Sequence, residues 1–232
     1  MINIKEIRKA CGLRHILRDV SLEVENGEVV GLVGPSGAGK STILNIISGL
    51  LEPDSGEVSI DGVVVTRRGA GMRSITVPPA RRGLGYVMQD NTLFPNMTVR
   101  ENIGFGPASQ GLSTEEVEAR VDELLLMIHV EEAKSLYPYQ LSGGQQKRIA
   151  LARTLAVRPK ILLMDEPLTS LDAELKKQLM VDLRNIFDKL DATVIYVTHD
   201  HEEAELMTRR IERLQDGTIR SHSEDLVGNE DL

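Results

Sequence analysis

The sequence predicts an α/β fold in which a mostly parallel sheet forms the core, with an antiparallel β subdomain and a helical subdomain attached to it. Continuous apolar runs over 29–33, 161–164 and 193–197 are typical of strands buried on both faces of a parallel sheet. Alternating apolar and polar residues before about residue 60 favour antiparallel strands. Residues 98–157 then change to helical periodicity, which predicts a largely helical insert.

The composition is that of a globular domain without a nucleic-acid surface. The chain has 232 residues, of which 41% are hydrophobic, and a formal net charge of −8, which argues against nucleic acid as a partner. The lone Cys11 excludes an internal disulfide. The first eight residues lack the apolar stretch of a signal peptide, and no later apolar run approaches the roughly 18 residues that span a bilayer. We therefore expect a cytoplasmic protein that acts at a membrane only through a partner.

Strands are predicted over most of the first 60 residues. Apolar residues alternate with polar ones over 20–24 and 58–60, and the turn signals at 26–27 and 61–62 follow them. Residues 66–83 contain several glycines and prolines and are predicted as a long loop. The arginine pairs inside this segment, 67–68 and 81–82, are interpreted as solvated loop charges.

A phosphate-binding loop is predicted directly after the strand over 29–33. The loop matches G-x-x-x-x-G-K-[ST]. Its residues are Gly34, Pro35, Ser36, Gly37, Ala38, Gly39, Lys40, Ser41 and Thr42. The apolar residues that follow recur at helical spacing, which predicts a helix start at the loop. These apolar residues are Ile43, Ile46, Ile47 and Leu50.

The loop has the residues that binding a nucleotide with Mg²⁺ requires. Glycines let the backbone wrap closely around an anion, and N–H groups at a helix start point into that bend. Lys40 is expected to reach the β- and γ-phosphates, and the Ser41 hydroxyl to hold Mg²⁺. An incidental glycine-rich turn is the alternative, and the strand before the loop and the helix after it argue against that alternative.

Three further candidate residues follow apolar runs and therefore lie at the carboxyl edge of the predicted sheet. Asp165 suits Mg²⁺ coordination, and Glu166 is then free to accept a proton from an attacking water. His199 could donate a hydrogen bond to a γ-phosphate. An exposed acid at a strand end and a structural histidine are the alternatives for Glu166 and His199.

Further helix starts are predicted in the second half of the chain. Residues 113–116 match a capping box, and a helix is predicted over 173–190. At 142–145, Ser142 is a candidate N-cap with Gln145 at the capping-box position. Gly143 and Gly144 would expose backbone donors there and create a second anion site, unless the segment is an ordinary capped helix. A second anion site requires either that the chain closes on itself or that one copy supplies the site to another.

Taken together, these motifs resemble the ATPase subunits of ATP-binding cassette (ABC) transporters over roughly residues 2–219. They occur in the order of that family. The order is the P-loop at 34–42, a Gln loop at Gln89, the signature at 141–145, the Walker B strand ending at Asp165 and Glu166, the D-loop at 170–172 and the switch histidine His199. The resemblance implies a P-loop NTPase core formed by 1–97 and 158–220, together with the antiparallel part, a helical subdomain over 98–157, and a short acidic tail over 221–232.

The resemblance also implies a dimer in which each ATP lies between one P-loop and the signature of the other copy. Gln89 would join Mg²⁺ and the attacking water to the loop at 90–97, near a transmembrane partner. Asp172 would cross the dimer interface. The implied catalytic residues are Glu166, His199 and Lys40; the nucleotide contacts are 34–42, Gln89, Ser142, Gly143, Gly144, Gln145, Asp165 and Asp172; and the Mg²⁺ ligands are Ser41, Gln89 and Asp165.

The segment 78–102 is similar to that of ATPases that import maltose, polyamines, ferric iron, sulfate or molybdate. This similarity implies a membrane permease as partner, a solute-binding protein acting through that permease, and a peripheral position on the inner face of the cell membrane. We expect the regulatory β-domain of such subunits to be absent, because little sequence follows Gly217. The alternatives are a soluble ABC-type assembly ATPase without a permease, or an ATPase that exports lipid or lipoprotein.

One position departs from the family pattern. Members usually carry an aromatic residue that stacks on adenine upstream of the P-loop, and the matching position is Cys11, before Gly12. Loss of such stacking costs on the order of 1 kcal/mol. We therefore expect weaker or less base-selective nucleotide binding than in members with the aromatic residue.

Overall fold

The protein is described from a computed structural model that covers residues 1–90, 93–169 and 171–221. Strands predominate up to residue 87 and α-helices over 99–156, and strands and helices then alternate over 161–215. The strands are β1 (Ile2–Cys11), β2 (Arg14–Val24), β3 (Val29–Val33), β4 (Ser55–Ile60), β5 (Val63–Arg68), β6 (Ile75–Thr76), β7 (Gly85–Val87), β8 (Ile161–Asp165), β9 (Thr193–Val197), β10 (Arg210–Gln215) and β11 (Thr218–Ser221). The α-helices are α1 (Lys40–Ser48), α2 (Val99–Ser109), α3 (Thr114–Met127), α4 (Gly143–Ala156), α5 (Ala173–Leu190) and α6 (His201–Met207).

An antiparallel sheet of five strands, in the order β2-β1-β4-β5-β6, forms one layer. Its inner face comes from the predicted alternation: Val20, Leu22 and Val24 are buried, and Ile2 lies between Val24 on one side and Ile60 on the other. The antiparallel strands expected from the sequence are therefore confirmed.

The prediction of a loop over 66–83 is wrong for its first residues, which belong to a strand. Strand β5 continues to Arg68, and Thr66 pairs with Thr76 of β6. Arg67 lies opposite Glu57 on the neighbouring strand, and its Nε is 2.5 Å from the Glu57 Oε2. Because opposite charges on facing strands stabilise their pairing, the arginine pair at 67–68 belongs to a strand rather than to a solvated loop.

The second sheet has six strands in the order β11-β10-β3-β9-β8-β7, and all of its pairs are parallel except the edge pair of β10 with β11. Strands β3, β8 and β9 are buried at every position, as the continuous apolar runs predict. One face of this sheet packs with α1 and the antiparallel sheet, through side chains such as Val30, Leu32, Leu163, Ile195 and Val197. The other face packs against the later helices, through side chains such as Leu162, Met164, Val194 and Tyr196.

The helical segment agrees with the sequence prediction in the described residues. Thr98, Ser113 and Ser142 are the N-caps of α2, α3 and α4, and each forms a capping box with the glutamate or glutamine three residues later. Helix α5 spans the predicted 173–190 and connects β8 to its parallel neighbour β9. The helical insert and the strand–helix–strand unit are therefore confirmed.

Helix α1 ends before Leu50, the last of the apolar residues at helical spacing after the P-loop. The helix ends at Ser48, Gly49 adopts a left-handed conformation with φ of 83°, and Leu50 is 53% exposed. The left-handed residue ends the helix, so that the next side chain leaves the apolar face. The domain division at 97/98 and 157/158 remains a prediction, and the tail beyond Ser221 lies outside the described residues. In the described part of the chain, every helix is too short or too polar to cross a membrane.

Candidate functional site

The predicted P-loop forms a tight connection between β3 and α1. A Cβ atom on Gly34 would lie 2.2 Å from the carbonyl oxygen of Leu214, and one on Gly39, where φ is 107°, would lie 2.9 Å from the Leu17 side chain. Gly34 has no room for a side chain beside this backbone oxygen, and the left-handed backbone of Gly39 would strain any other residue, so both glycines are required within the chain itself. A cavity of about 600 Å³ lies against the loop, with Pro35, Ser36, Gly37 and Ala38 among its lining residues.

Lys40 supplies the cation of this loop. Its Nζ donates hydrogen bonds to the carbonyl oxygens of Gly34 at 2.8 Å and Pro35 at 3.1 Å. Burial lowers the pKa of Lys40, and the nearby carboxylates of Glu166 and Asp165 oppose that shift. The arrangement keeps an ammonium group folded over a loop whose helix N-terminus favours anions, so an entering phosphate meets both a positive charge and the helix start.

Arg82 supports this loop from the far end of α1, and its interpretation as a solvated charge is wrong. The side chain is 4% exposed, and its guanidinium donates to the carbonyl oxygens of Ile46 at 3.1 Å and Ile47 at 2.8 Å, and to the Thr66 hydroxyl at 2.8 Å. These bonds satisfy the Ile47 carbonyl and give the Ile46 carbonyl a second donor besides the Gly49 N–H, at the helix end where the last carbonyls lack intrahelical partners. Gly49 leaves room for this side chain, since a Cβ there would lie 2.5 Å from the Arg82 Nε.

Ser41 and Asp165 meet where the P-loop helix faces the end of β8. Asp165 is 3% exposed, and burial raises its pKa while the hydrogen bond from the Ser41 hydroxyl lowers it. The described residues contain no cluster of three metal-binding His, Cys, Asp or Glu side chains. One hydroxyl and one carboxylate in contact fit Mg²⁺, which keeps several water ligands and takes further oxygens from phosphates.

Glu166 lies beside His199, as predicted for two strands that end at the same edge. The Glu166 Oε1 is 3.2 Å from the His199 Nδ1, and its Oε2 accepts a hydrogen bond from the Thr169 hydroxyl at 3.2 Å. The Glu166 N–H donates to the Val197 carbonyl at 2.9 Å, which ties the turn after β8 to β9. His199 is 59% exposed, so one carboxylate oxygen is held within the protein and the other lies beside an accessible imidazole.

The signature segment begins a capped helix away from the P-loop cavity. The Ser142 hydroxyl accepts from the Gln145 N–H at 3.3 Å, and the Gln145 Oε1 accepts from the Ser142 N–H at 3.0 Å. Among the described residues, a Cβ atom on Gly143 would have no heavy atom within 4 Å, and one on Gly144 would meet only a Leu171 carbon at 3.7 Å. Packing within the chain therefore does not explain why these two positions are glycine.

Gln89 and Asp172 occupy exposed positions on segments that follow the core strands. Gln89 follows β7, which pairs in parallel with β8, so it leaves the same edge of the sheet as Asp165. Asp172 is the N-cap of α5 and accepts a hydrogen bond from the Leu175 N–H at 3.0 Å. The capping role is structural, and the predicted roles of both residues in nucleotide binding remain predictions. Ser170, in the predicted D-loop, lies outside the described residues.

Two lysines near this site were not singled out from the sequence. Lys147 lies in α4, and Lys176 lies in α5, where its Nζ is 2.6 Å from the Glu203 Oε2 and 2.7 Å from the Asp200 Oδ2. Because Asp200 directly follows His199, the ion pair anchors the segment of the predicted switch histidine to α5. Lysines on helices usually face solvent. The sequence therefore gave no signal that Lys147 is buried or that Lys176 forms an ion pair.

Comparison with known families agrees with this site. A family model described as ABC transporter matches residues 17–169. The chain therefore belongs to the ABC transporter family, as an ATP-binding cassette.

Similar curated proteins are import subunits. The spermidine/putrescine import ATP-binding protein PotA of Haemophilus influenzae is 43% identical over 219 residues, which are 94% of this chain and 56% of the relative. A probable sulfate/thiosulfate import ATP-binding protein CysA of Chlorella vulgaris is 43% identical over 94% of this chain and 89% of its own length. The chain thus spans little more than half of some of the curated relatives that it matches.

Similar solved structures confirm the fold. The ATP-binding cassette MJ0796, in a dimeric post-hydrolysis state bound to ADP and Pi, matches with a TM-score of 0.82 and 34% sequence identity, over 95% of this chain and 98% of the other. A second dimeric structure of the same bacterial ABC transporter cassette matches with the same TM-score and 35% identity. The predicted α/β fold with an ABC-type ATPase core is confirmed.

Proposed function

We propose that the chain hydrolyses ATP as a subunit of an ABC importer. The observation that carries this proposal is the position of Glu166, whose carboxylate lies between His199 and Thr169 and whose charge acts on the P-loop Lys40. A carboxylate held at this edge can accept a proton from a water that attacks the terminal phosphate of ATP. His199 lies within reach to donate a hydrogen bond to the phosphate.

Ser41 and Asp165 are the residues proposed to hold Mg²⁺, with Gln89 as a third candidate ligand. When bound, the ion would neutralise phosphate charge and keep the terminal phosphate in line with the water. Lys40 would leave its two loop carbonyls to pair with phosphate oxygens. Glu166 lies next to the Asp165 carboxylate but makes separate contacts, so metal binding and proton transfer are assigned to different carboxylates.

A dimer is proposed because packing among the described residues does not require glycine at the two signature positions. Helices favour alanine over glycine by about 1 kcal/mol per position, and Gly143 and Gly144 nevertheless begin α4 where a side chain would fit. Glycine there is explained if another molecule approaches the backbone closely. We assign that molecule as ATP bound to a second copy, with Ser142 and Gln145 beside it and Asp172 at the interface. The dimeric state of the similar cassette MJ0796 supports this assignment.

A permease is proposed as the membrane partner. Phe94 and Phe105 are exposed and their ring centroids are 5.1 Å apart. Phe105 lines a cavity of about 460 Å³ together with Met97 and Arg100. We assign this exposed aromatic pair and the cavity beside it to the contact with the permease. The surface adjoins the predicted Gln-loop segment, and relatives that import polyamines or sulfate support a transport role. Those solutes carry opposite charges, so resemblance to these relatives selects no substrate.

The experiment that tests this function uses Glu166→Gln. We expect the variant to bind Mg·ATP, to lose at least about 100-fold in turnover because the proton acceptor is gone, and to accumulate as a dimer. Isolated with Mg·ATP from gently solubilised native membranes, it should copurify with a multi-spanning permease identified by mass spectrometry, with or without a solute-binding protein. Adding Phe105→Ser should reduce this copurification, whereas Val181→Ser, an exposed apolar position on α5, should not.

Three results would change the assignments. Recovery of only soluble partners in good yield would favour an assembly ATPase without a permease, and recovery with a lipid- or lipoprotein-exporting complex would favour an exporter. Normal turnover of Glu166→Gln would reassign the proton acceptor.

A further inference from the structure

Lys147 is a buried cation that is connected to the proposed catalytic carboxylate of Glu166 through Thr169. It lies on α4, five residues after Ser142, and is 8% exposed. Its Nζ donates a hydrogen bond to the Thr169 carbonyl oxygen at 3.3 Å. The hydroxyl of the same Thr169 donates to the Glu166 Oε2 at 3.2 Å. A chain of two hydrogen bonds therefore leads from the signature helix to Glu166 of the same molecule.

The charged groups around Lys147 also support a link between this lysine and Glu166. Burial lowers the pKa of Lys147, and the carboxylates of Glu166, Glu203 and Asp165 oppose that shift. Glu203 is already paired, since its Oε1 accepts from the Tyr196 hydroxyl at 2.5 Å and its Oε2 lies 2.6 Å from the Lys176 Nζ. Among these three carboxylates, Glu166 is the one that hydrogen bonds join to Lys147 through Thr169.

Stability alone does not explain a lysine at this position. Removing an ammonium group from water is costly, and an apolar side chain of similar length would fill the same space without that cost. The surrounding side chains of α4, such as Ile149 and Leu151, are apolar and buried. A charge retained at such a position is expected to act on a neighbouring charge.

We propose that Lys147 is a positioning residue for Glu166, whose carboxylate it holds in place through Thr169. The inference rests on the proposed role of Glu166 in hydrolysis and extends it to α4. The start of this helix is the segment assigned above to the ATP of a second copy. A shift of the helix start would therefore move Lys147 and change the position of Glu166. ATP bound at the signature of one chain would in this way affect hydrolysis at the P-loop of the same chain.

The test compares three substitutions of Lys147 in the full chain. Lys147→Met should lower kcat about tenfold while KM for ATP stays within about twofold, because the lysine acts on Glu166 through Thr169 and is not assigned a contact with the nucleotide. Lys147→Arg keeps the charge and should restore kcat to within about threefold of the unmodified chain. Lys147→Gln keeps a donor for the Thr169 carbonyl without the charge and should resemble the methionine variant. Lys177→Met, at an exposed lysine on α5, is the matched control and should change neither constant.

A second variant tests the path through Thr169. Thr169→Val removes the hydroxyl that reaches Glu166 and should lower kcat about threefold with KM unchanged. Combined with Lys147→Met, its effect should be less than the product of the two single effects, because both act on Glu166 through one connection. Thr169→Val and Lys147→Gln also keep the inference testable if the methionine variant does not fold.

The inference is overturned by any of three results: a kcat of Lys147→Met within twofold of the unmodified chain, a rise in KM that matches the fall in kcat, or a failure of Lys147→Arg to restore activity. Multiplicative effects in the double variant would exclude the shared path. Failure of the proposed function is distinguishable from all of these, because the unmodified chain and Lys177→Met would then not hydrolyse ATP.

Discussion

The P-loop and the signature segment are both helix starts that contain glycines. Contacts within the chain explain the glycines of the P-loop but not those of the signature. At the P-loop, added Cβ atoms on Gly34 and Gly39 would collide with Leu214 and Leu17. At the signature, added Cβ atoms on Gly143 and Gly144 meet no comparable obstacle among the described residues. Glycine therefore occurs at the two helix starts for different reasons. At the P-loop the reason is packing within the chain, and at the signature, as we propose, it is the approach of another molecule.

The two helices are also anchored differently. Helix α1 is held at its far end by the buried Arg82, whereas α4 is held at its start by the local capping box of Ser142 and Gln145 and reaches the site through Lys147. A rigid P-loop helix suits a nucleotide site that is formed within one chain. A signature helix with an exposed start suits a site that forms only when a second chain arrives.

The largest expected effect concerns the anchor of α1. Arg82→Met leaves the carbonyls of Ile46 and Ile47 without their buried donor, and we expect a loss of about 3 kcal/mol in the free energy of unfolding, measured by chemical denaturation. The exposed neighbour Arg81→Met is the control and should change stability by less than about 0.5 kcal/mol. Equal stability of the two variants would mean that α1 does not depend on this anchor.

The next prediction compares substitutions at the P-loop and at the signature by their effects on ATP binding and on dimer formation. Lys40→Ala removes a cation from the P-loop and should weaken ATP binding by the isolated chain about 10- to 100-fold, as expected for a hydrogen bond to a charged group. Ser142→Arg should leave that binding within about twofold, but should prevent the ATP-dependent dimer when it is combined with Glu166→Gln. Nucleotide titration and analytical ultracentrifugation measure the two properties. Loss of ATP binding by monomeric Ser142→Arg would contradict the assignment of the signature to a second copy.

The smallest expected effect is at the base of the nucleotide. Cys11 is exposed at the end of β1, and the turn that follows leads to Leu13 and His15 in the lining of the P-loop cavity. Cys11→Tyr supplies a ring for adenine to stack on and should tighten ATP binding by about 1 kcal/mol, or roughly fivefold. Cys11→Ser, which has no ring, is the control. Unchanged affinity in the tyrosine variant would contradict the interpretation of Cys11 as the missing stacking position.

Local signals in the sequence determined most of the fold and the order of the site residues. The strand over 29–33, the helix over 173–190 and the capping boxes at Ser113 and Ser142 depend on residues a few positions apart, and such short-range preferences can be read from a single sequence. The contact between Glu166 and His199 also follows from a local rule, because parallel strands bring their carboxyl ends to one edge of the sheet.

Only the tertiary structure decided where the buried charges lie. Arg82 bonds to carbonyls 35 and 36 positions away, and Lys147 bonds to a carbonyl 22 positions away. Nothing in the residues beside either position distinguishes it from an exposed basic residue, since the partners are backbone atoms that any sequence would supply. A charge becomes buried when distant segments present hydrogen-bond acceptors at the right distance, and that arrangement exists only after the sheet and helices have packed.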